Sequence, residues 1–289
     1  MSYKVDNAII LAAGLSSRFA PLSLEKPKAL FPVKGEVLIE RQINQLRQSK
    51  IDNIIIVTGY QSGKFEYLKD KYNVELIYNS EYINRNNLYS LYLVKDYLKN
   101  SYICSADNYF INNPFEDTVD ESYYSAIYFH GPTKEWCIKY DENLYITDVT
   151  IGGVDSWAML GHVFFSEVFS NKFKEILNLE VKRKSNDKKM WEEIYIKHIT
   201  DLRMKIKKYT EGDIYEFDSL DELRLFDTSY VSDSQSSILK NICKKLNCSE
   251  EQIENFFPLK SMNVIDGIEF TYQKKKYNYK YASESLEEE

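Results

Sequence analysis

The stretch that decides the fold lies near the start of the chain and reads Ala8-Ile9-Ile10-Leu11-Ala12-Ala13-Gly14-Leu15-Ser16-Ser17-Arg18-Phe19, followed by Glu25-Lys26-Pro27-Lys28-Ala29-Leu30. Its apolar first half predicts a buried strand that runs into a loop of small residues. Glycine and its small neighbours let backbone N–H groups approach phosphate oxygens. Arg18 and Lys28 supply the positive charge that a triphosphate needs. The stretch therefore predicts a nucleoside triphosphate site at a strand end.

The spacing differs from that of a Walker A loop and from that of a Gly-x-Gly-x-x-Gly dinucleotide turn. It resembles the signature of nucleotidyltransferases, which reads Leu-Ala-Ala-Gly-x-x-x-Arg and then Lys-Pro-Lys. The resemblance implies transfer of a nucleotide to a phosphorylated small molecule with release of pyrophosphate. The alternative is a strand followed by an ordinary turn. The nucleotide-binding residues predicted in this stretch are Leu11, Ala12, Ala13, Gly14, Ser16 and Arg18.

The composition limits the classes of protein to which the chain can belong. Of its 289 residues, 44% are apolar, which is enough for a sizeable core. No apolar run is as long as a membrane-spanning helix, which needs about 18 residues. The net charge of −7 argues against a nucleic-acid partner. The four cysteines form no CxxC pair, so neither a zinc site nor a disulfide framework is expected. We expect a reducing, cytoplasmic protein without membrane insertion.

Strand-like and helix-like segments alternate over the first 105 residues. The strands are predicted at 8–12, 53–57, 74–78 and 102–105, with helices at 38–50, 65–72 and 88–98 between them. This β-α-β alternation predicts an α/β fold with a doubly wound mixed β-sheet, Rossmann-like in organisation. Ligands of such sheets bind at the carboxyl ends of the strands, where the phosphate loop and Asp107 should converge.

The second half of the chain follows a different pattern. Strands are predicted at 124–129, 136–140, 144–149 and 158–165, with a turn at Gly152-Gly153. We expect a catalytic domain over residues 1–228 and a small helix-plus-hairpin appendage over 229–289. Within the appendage, helices are predicted at 238–246 and 249–256, a hairpin at 268–281, and a frayed acidic tail at 283–289.

Two aspartates are candidate Mg²⁺ ligands. Asp107 follows a predicted buried strand beside the triphosphate loop, and Mg²⁺ combines few protein carboxylates with phosphate oxygens and water. The alternative for Asp107 is a plain turn residue. Asp218 matches the position of a second acidic ligand in the family that the phosphate loop resembles. The alternative for Asp218 is that it only caps the helix that starts near Ser219.

The chain shows no Ser-His-Asp or Cys-His arrangement, and the predicted transfer needs no nucleophilic side chain. Catalysis would depend on positioning and charge. We assign Lys28 to the α-phosphate and the acceptor phosphate, and Arg18 to the β- and γ-phosphates. Together with Asp107, these are the predicted catalytic residues.

Two tryptophans in the second half suggest the chemistry of the acceptor. Trp136 and Trp191 each stand next to acidic residues. An aromatic wall with a nearby carboxylate suits a quaternary ammonium, which carries charge but no N–H donor. The alternative is that each tryptophan is a core residue.

A narrower resemblance covers residues 6–226. The run Asn86-Asn87-Leu88-Tyr89-Ser90-Leu91-Tyr92 is similar to the bacterial CTP:phosphocholine cytidylyltransferases, and so are the segments around Asp107, Trp136, Trp191 and Asp218. The resemblance implies CTP and phosphocholine as substrates and CDP-choline as product. It assigns Asn87, Ser90 and Ala106 to the nucleotide pocket, and Tyr109, Trp136, Trp191 and Glu192 to the acceptor pocket. One departure is Glu192, where the family pattern has aspartate.

Other possibilities remain open from the sequence. The acceptor could be phosphoethanolamine, 2-aminoethylphosphonate or a sugar phosphate, or the chain could be a silent nucleotide-binding regulator. Residues 254–277 resemble the opening of bacterial choline kinases, although no kinase activity is expected from so short a segment. The oligomeric state is not predicted.

Overall fold

The apolar run near the start of the chain forms the centre of a seven-stranded mixed sheet. The computed structural model describes residues 2–261 and 264–289. The strands of this central sheet are, in spatial order, Lys205–Tyr209, Tyr123–Tyr140, Ile146–Phe165, Ser101–Ser105, Asn7–Ala12, Ile54–Thr58 and Glu75–Tyr78. The last four pair in parallel, and Ile146–Phe165 runs antiparallel to its two neighbours. The predicted α/β fold with a doubly wound mixed sheet is confirmed.

Helices connect the strands and supply the core of this part of the molecule. The apolar residues of six strands and three helices form one buried cluster, which includes Ile9, Ile103, Phe165 and Phe173. The α-helices around the sheet are Leu38–Gln48, Tyr67–Tyr72, Asn87–Leu93, Glu167–Glu180 and Trp191–Lys197. Short 3-10 turns occur at Ser62–Phe65, Lys95–Tyr97 and Lys184–Asn186.

The predicted turn at Gly152-Gly153 is wrong. Strands Tyr123–Tyr140 and Ile146–Phe165 form one long hairpin, and the two glycines lie within its second strand. Gly152 has a positive φ of 80°, and a Cβ on Gly153 would lie 2.8 Å from Cys137 Sγ. Cys137 is opposed by both Thr150 and Ala158, so the glycines serve a bulge rather than a chain reversal.

The chain divides into two compact units. The first comprises residues 1–14 and 39–216, and the second comprises 15–38 and 217–289. The second unit contains the α-helices Leu22–Glu25, Leu220–Phe226, Ser229–Ser232 and Ser237–Leu246 and the sheet strands Ile253–Ser261, Val264–Tyr272, Lys275–Lys280 and Ser285–Glu288. The boundaries of these units differ from those of the predicted domains 1–228 and 229–289. The division into those two domains stays a prediction.

Two predictions for the C-terminal segment are wrong. Residues 249–256 form a 3-10 turn at Glu250–Gln252 and then the strand Ile253–Ser261, because Asn255 takes a positive φ of 55° that a helix does not allow. The acidic tail is paired rather than frayed: Ser285–Glu288 joins Lys275–Lys280, and Lys275 Nζ lies 2.6 Å from Glu288 Oε1. The lysines of the predicted hairpin thus have an acidic partner strand.

The segment that resembles the opening of choline kinases contributes to the first two strands of this C-terminal sheet and to the start of the third. Its Met262 and Asn263 lie outside the described residues, and the resemblance stays a prediction. Within residues 2–261 and 264–289, no helix has the length and apolar character needed to cross a membrane.

Candidate active site

The phosphate loop and the Asp107 turn meet at the point where the strand order of the central sheet reverses. Strand Asn7–Ala12 pairs with Ile54–Thr58 on one side and with Ser101–Ser105 on the other. The N–H of Ala106 donates to the carbonyl oxygen of Leu11 at 3.2 Å. Doubly wound sheets bind their ligands at such reversal points. The expectation that residues 11–14 and Asp107 converge is confirmed.

Gly59 holds the phosphate loop in place and was not among the predicted site residues. The N–H of Tyr60 donates to Ala13 O at 3.3 Å. A Cβ on Gly59 would lie only 2.7 Å from both Ala13 O and Tyr82 Cβ. Gly14, in contrast, has no atom within 4 Å of its Cβ position, which leaves the loop open on that side. The signal in the sequence is a glycine directly after the neighbouring strand.

The Asp107 turn is fixed by hydrogen bonds from two side chains. Ser105 Oγ donates to Asp107 Oδ1 at 2.6 Å and so orients the carboxylate. Gln42, which is buried on helix Leu38–Gln48, donates to the carbonyl oxygens of Ser105 and Asn108, each at 2.9 Å. Sequence reasoning missed Gln42, because its partner lies more than 60 residues away. The turn presents Asp107 in a defined orientation, as a metal ligand requires.

A second group of predicted residues surrounds Asn87. Asn87 Oδ1 accepts from the N–H of Trp191 at 2.8 Å, and Asn87 Nδ2 donates to Glu192 Oε2 at 3.2 Å. Tyr124 OH donates to the other oxygen of Glu192 at 3.4 Å. Burial disfavours the charged carboxylate and raises the pKa of Glu192 to about 7. This carboxyl group therefore titrates near neutral pH.

Two further predicted residues lie in buried positions. Ser90 Oγ accepts from Asn79 Nδ2 at 3.0 Å, so it contributes to a buried polar pair beside strand Glu75–Tyr78. Tyr109 is 6% exposed, and the guanidinium of Arg41 lies 4.5 Å from the centroid of its ring. The structure thus shows a packing role for each, and their assignments to substrate pockets stay predictions.

The two tryptophans differ in their surroundings. Trp191 is 2% exposed, stacks on Tyr124 with ring centroids 5.9 Å apart, and meets Phe165 and Phe173 edge to face. Trp136 is only partly buried and packs against the same cluster. The ring of Trp191 is therefore a core group, whereas Trp136 keeps a surface that solvent reaches. An aromatic wall for an acceptor is better served by Trp136.

The remaining predicted residues belong to the second unit. Arg18 Nη1 lies 2.5 Å from Asp218 Oδ2, and both side chains are well exposed. The helix Leu220–Phe226 is capped by Ser219, whose hydroxyl accepts from Glu222 N–H, so the alternative of Asp218 as its cap is wrong. Lys28 is buried, with Nζ 5.0 Å from the centroid of the Phe19 ring. Ser16 has a positive φ of 48° at the start of the turn Ser17–Phe19.

The predicted residues are divided between the two units. The first unit contains Leu11, Ala12, Ala13, Gly14, Asn87, Ser90, Ala106, Asp107, Tyr109, Trp136, Trp191 and Glu192, and the second contains Ser16, Arg18, Lys28 and Asp218. Over the described part of the chain, three or more histidine, cysteine or acidic residues nowhere form a group that could hold a metal.

Known proteins resemble the chain in both sequence and structure. Residues 8–119 match the family described as MobA-like NTP transferase domain. The choline-phosphate cytidylyltransferase of Streptococcus pneumoniae is 35% identical over 217 residues, which are 75% of this chain and 95% of that protein. The 2-aminoethylphosphonate cytidylyltransferase of Lancefieldella rimae is 34% identical over 229 residues, covering 78% of this chain and 93% of that protein.

A solved structure of the CTP:phosphocholine cytidylyltransferase from Streptococcus pneumoniae superimposes with a TM-score of 0.75. It is 34% identical to this chain, and the match covers 78% of this chain and 99% of that structure. The similarity therefore extends over the whole length of that protein and is not confined to the phosphate loop.

Proposed function

Because the chain belongs to the nucleotidyltransferase family that contains the bacterial choline-phosphate cytidylyltransferases, we propose that it joins CTP to phosphocholine and yields CDP-choline and pyrophosphate. The observation that carries this proposal is the match over nearly the whole length of the Streptococcus pneumoniae protein. It is supported by the phosphate loop and Asp107, which converge at the reversal point of the sheet.

The reaction is an in-line displacement. An oxygen of the phosphocholine phosphate forms a bond to the α-phosphorus of CTP, the bond from that phosphorus to the bridging oxygen breaks, and the oxygen leaves with pyrophosphate. The backbone of residues 11–14 receives phosphate oxygens, Lys28 neutralises the α-phosphate and the acceptor phosphate, and Arg18 neutralises the β- and γ-phosphates. The exposed side chain of Arg18 is accessible to such a ligand. No side chain forms a covalent intermediate.

We propose Asp107 and Asp218 as the residues that would hold Mg²⁺. The fit rests on donor chemistry: both offer hard carboxylate oxygens, and Ser105 orients that of Asp107. Asp218 would exchange its contact with Arg18 for the metal, which frees the guanidinium for phosphate. When bound, the ion supplies neutralisation of charge on the α-phosphate and on the leaving pyrophosphate.

Trp136 and Glu192 are the residues that we propose for the choline end of the acceptor. The partly exposed ring of Trp136 offers a π-face to a quaternary ammonium. Glu192 offers a negative charge once its carboxyl group ionises near pH 7. A second candidate acceptor is 2-aminoethylphosphonate, since a relative named for it is nearly as similar to this chain. Its primary ammonium would need hydrogen-bond acceptors rather than an aromatic face.

The test is pyrophosphate release with CTP and Mg²⁺ across a panel of phosphocholine, phosphoethanolamine, 2-aminoethylphosphonate and glucose 1-phosphate. We expect the highest kcat/KM with phosphocholine. A preference for either primary amine would retain the transfer reaction and overturn the acceptor. Binding of CTP with no release for any acceptor would indicate a nucleotide-binding regulator.

We also propose a cytoplasmic location, because all four cysteines are free thiols.

A further inference from the structure

We propose that the C-terminal segment positions the triphosphate-binding stretch of this chain and that Glu25 is the positioning residue. The inference rests on the proposed function, because it concerns the binding of CTP by Arg18 and Lys28. Glu25 ends the short helix Leu22–Glu25 and lies three residues before Lys28. Its carboxylate contacts a helix that is more than 200 residues away in the sequence.

The contact is made at the amino end of helix Ser237–Leu246. Glu25 Oε1 accepts from the N–H groups of Ser237 at 2.8 Å and Ile238 at 3.3 Å, and from the hydroxyl of Ser237. The next N–H, that of Leu239, donates to Ser236 Oγ at 3.1 Å. The amides at a helix start have no partner within the helix, and the helix dipole favours a negative charge there. A carboxylate from another part of the chain therefore completes this helix end.

Other contacts hold the same stretch after Lys28. Tyr230 OH donates to Pro32 O at 2.8 Å, and the N–H of Lys34 donates to Asp227 Oδ2 at 2.6 Å. Glu25 precedes Lys28, and these two contacts follow it. The backbone around Lys28 is consequently tied to residues 227–238 on both sides, which restricts where its ammonium group can lie.

The Arg18 turn is tied to the same segment by a second route. Strand Ile253–Ser261 packs beside the turn Ser17–Phe19. The buried Arg224 holds the start of that strand, since its Nη1 donates to Ile253 O at 2.6 Å and its Nη2 donates to Glu250 O at 2.9 Å. Arg224 lies on helix Leu220–Phe226, which begins two residues after Asp218, the partner of Arg18. Both cations assigned to the triphosphate thus depend on contacts from residues 217–261.

The experiment compares Glu25→Ala with Glu25→Gln and with the control Glu287→Ala, which removes an exposed carboxylate from the last strand of the C-terminal sheet, outside residues 217–261. KM for CTP, KM for phosphocholine and kcat are measured on the full chain, together with the melting temperature. For Glu25→Ala we expect KM for CTP to rise about tenfold. KM for phosphocholine should rise less, by about two- to threefold, because its phosphate meets only Lys28, whereas the triphosphate meets both Lys28 and Arg18. Glu25→Gln keeps an acceptor oxygen without the charge, so its KM for CTP should lie between the two.

A lowered melting temperature with unchanged KM for CTP would overturn the inference, because Glu25 would then be a structural contact only. An equal rise of both KM values would overturn it as well. If Glu25→Ala does not fold, Glu25→Gln against Glu287→Gln decides by the same criterion. The proposed function fails separately, namely when the parent protein releases no pyrophosphate in the acceptor panel.

Discussion

The two compact units hold their predicted site residues by different physical means. In the first unit, parallel strand pairing and backbone hydrogen bonds such as Ala106 N–H to Leu11 O bring the loop at 11–14 and the Asp107 turn together, and Ser105 and Gln42 then hold the turn. In the second, Arg18 and Glu25 are placed by side-chain contacts to residues 200 and 212 positions away. The first arrangement follows from strand order, whereas the second depends on particular side chains. Substitutions should therefore act differently in the two units.

The largest effect is expected at Asp107. Asp107→Asn should lower kcat/KM by about 100- to 1,000-fold, because an amide binds Mg²⁺ weakly and stabilises less charge in the transition state. The melting temperature should stay close to that of the parent, since strand pairing holds the turn. Steady-state kinetics and thermal unfolding measure the two effects. The control Asp117→Asn changes an exposed aspartate of the same unit and should leave kcat/KM unaltered. A kcat/KM of Asp107→Asn within tenfold of the parent would contradict the assignment of Asp107 as a metal ligand.

Substitution of the two tryptophans distinguishes a core residue from a candidate pocket residue within the first unit. Trp191→Ala should lower the free energy of unfolding by about 3–5 kcal/mol, because it empties a fully packed site beside Phe165 and Phe173. Trp136→Ala should cost much less stability and should raise KM for phosphocholine severalfold with KM for CTP unchanged. Urea unfolding and kinetics check both. Equal loss for both substrates in Trp136→Ala would remove this residue from the acceptor pocket.

Gly59 tests whether backbone contacts alone fix the phosphate loop. The added Cβ of Gly59→Ala meets Ala13 O and Tyr82 Cβ, so we expect about 1–3 kcal/mol of destabilisation and a higher KM for CTP. Gly63→Ala is the matched control, since nothing lies within 4 Å of its Cβ position. Urea unfolding and CTP titration of both variants measure the difference. If both variants behave alike, the close approach of Gly59 to Ala13 does not determine the conformation of the phosphate loop.

The smallest expected effect is on the pH dependence of stability, where a carboxyl group of the first unit and one of the second act in opposite directions. Burial raises the pKa of Glu192 to about 7, so the folded state holds this proton more tightly than the unfolded chain, and stability falls as the pH rises from about 4.5 to 7. Asp227 has the opposite sign: burial raises its pKa, but hydrogen bonds from Lys34 and Ser229 outweigh it, and the pKa is lowered. Its contribution is present above the ordinary aspartate pKa and is lost as the pH falls through the lowered value.

We therefore expect Glu192→Gln to lose less stability than the parent between pH 5 and pH 8. Urea unfolding at the two pH values measures the difference, with the exposed Glu175→Gln on helix Glu167–Glu180 as control. The same titration should raise KM for phosphocholine in the parent as the pH falls below about 7, if the charge of Glu192 serves the acceptor. Identical pH profiles for parent and Glu192→Gln would show that this carboxyl group stays ionised throughout.

The sequence by itself determined the first half of the site. The sequence predicted that the phosphate loop after strand 8–12 and the aspartate after the fourth strand lie at the same edge of a parallel sheet. The structure shows that the two strands pair and that the segments after them are in contact. This succeeded because the period of buried strands and the rules of parallel winding are local or topological properties. The family resemblance, which rests on these residues and on later segments such as Asn86–Tyr92, was confirmed over most of the chain.

Only the tertiary structure decided the features that depend on distant partners. Gly152 and Gly153 lie in a bulge of a long strand because Cys137 packs against them, and the acidic tail pairs because a lysine-bearing strand lies beside it. Trp191 is a core residue because Phe165 and Phe173 surround it, which its acidic neighbours in the sequence did not indicate. The contact of Glu25 with helix Ser237–Leu246 joins two groups that are each unremarkable in sequence. Side-chain pairing over such separations leaves no periodic pattern, so it becomes visible only when the chain is folded.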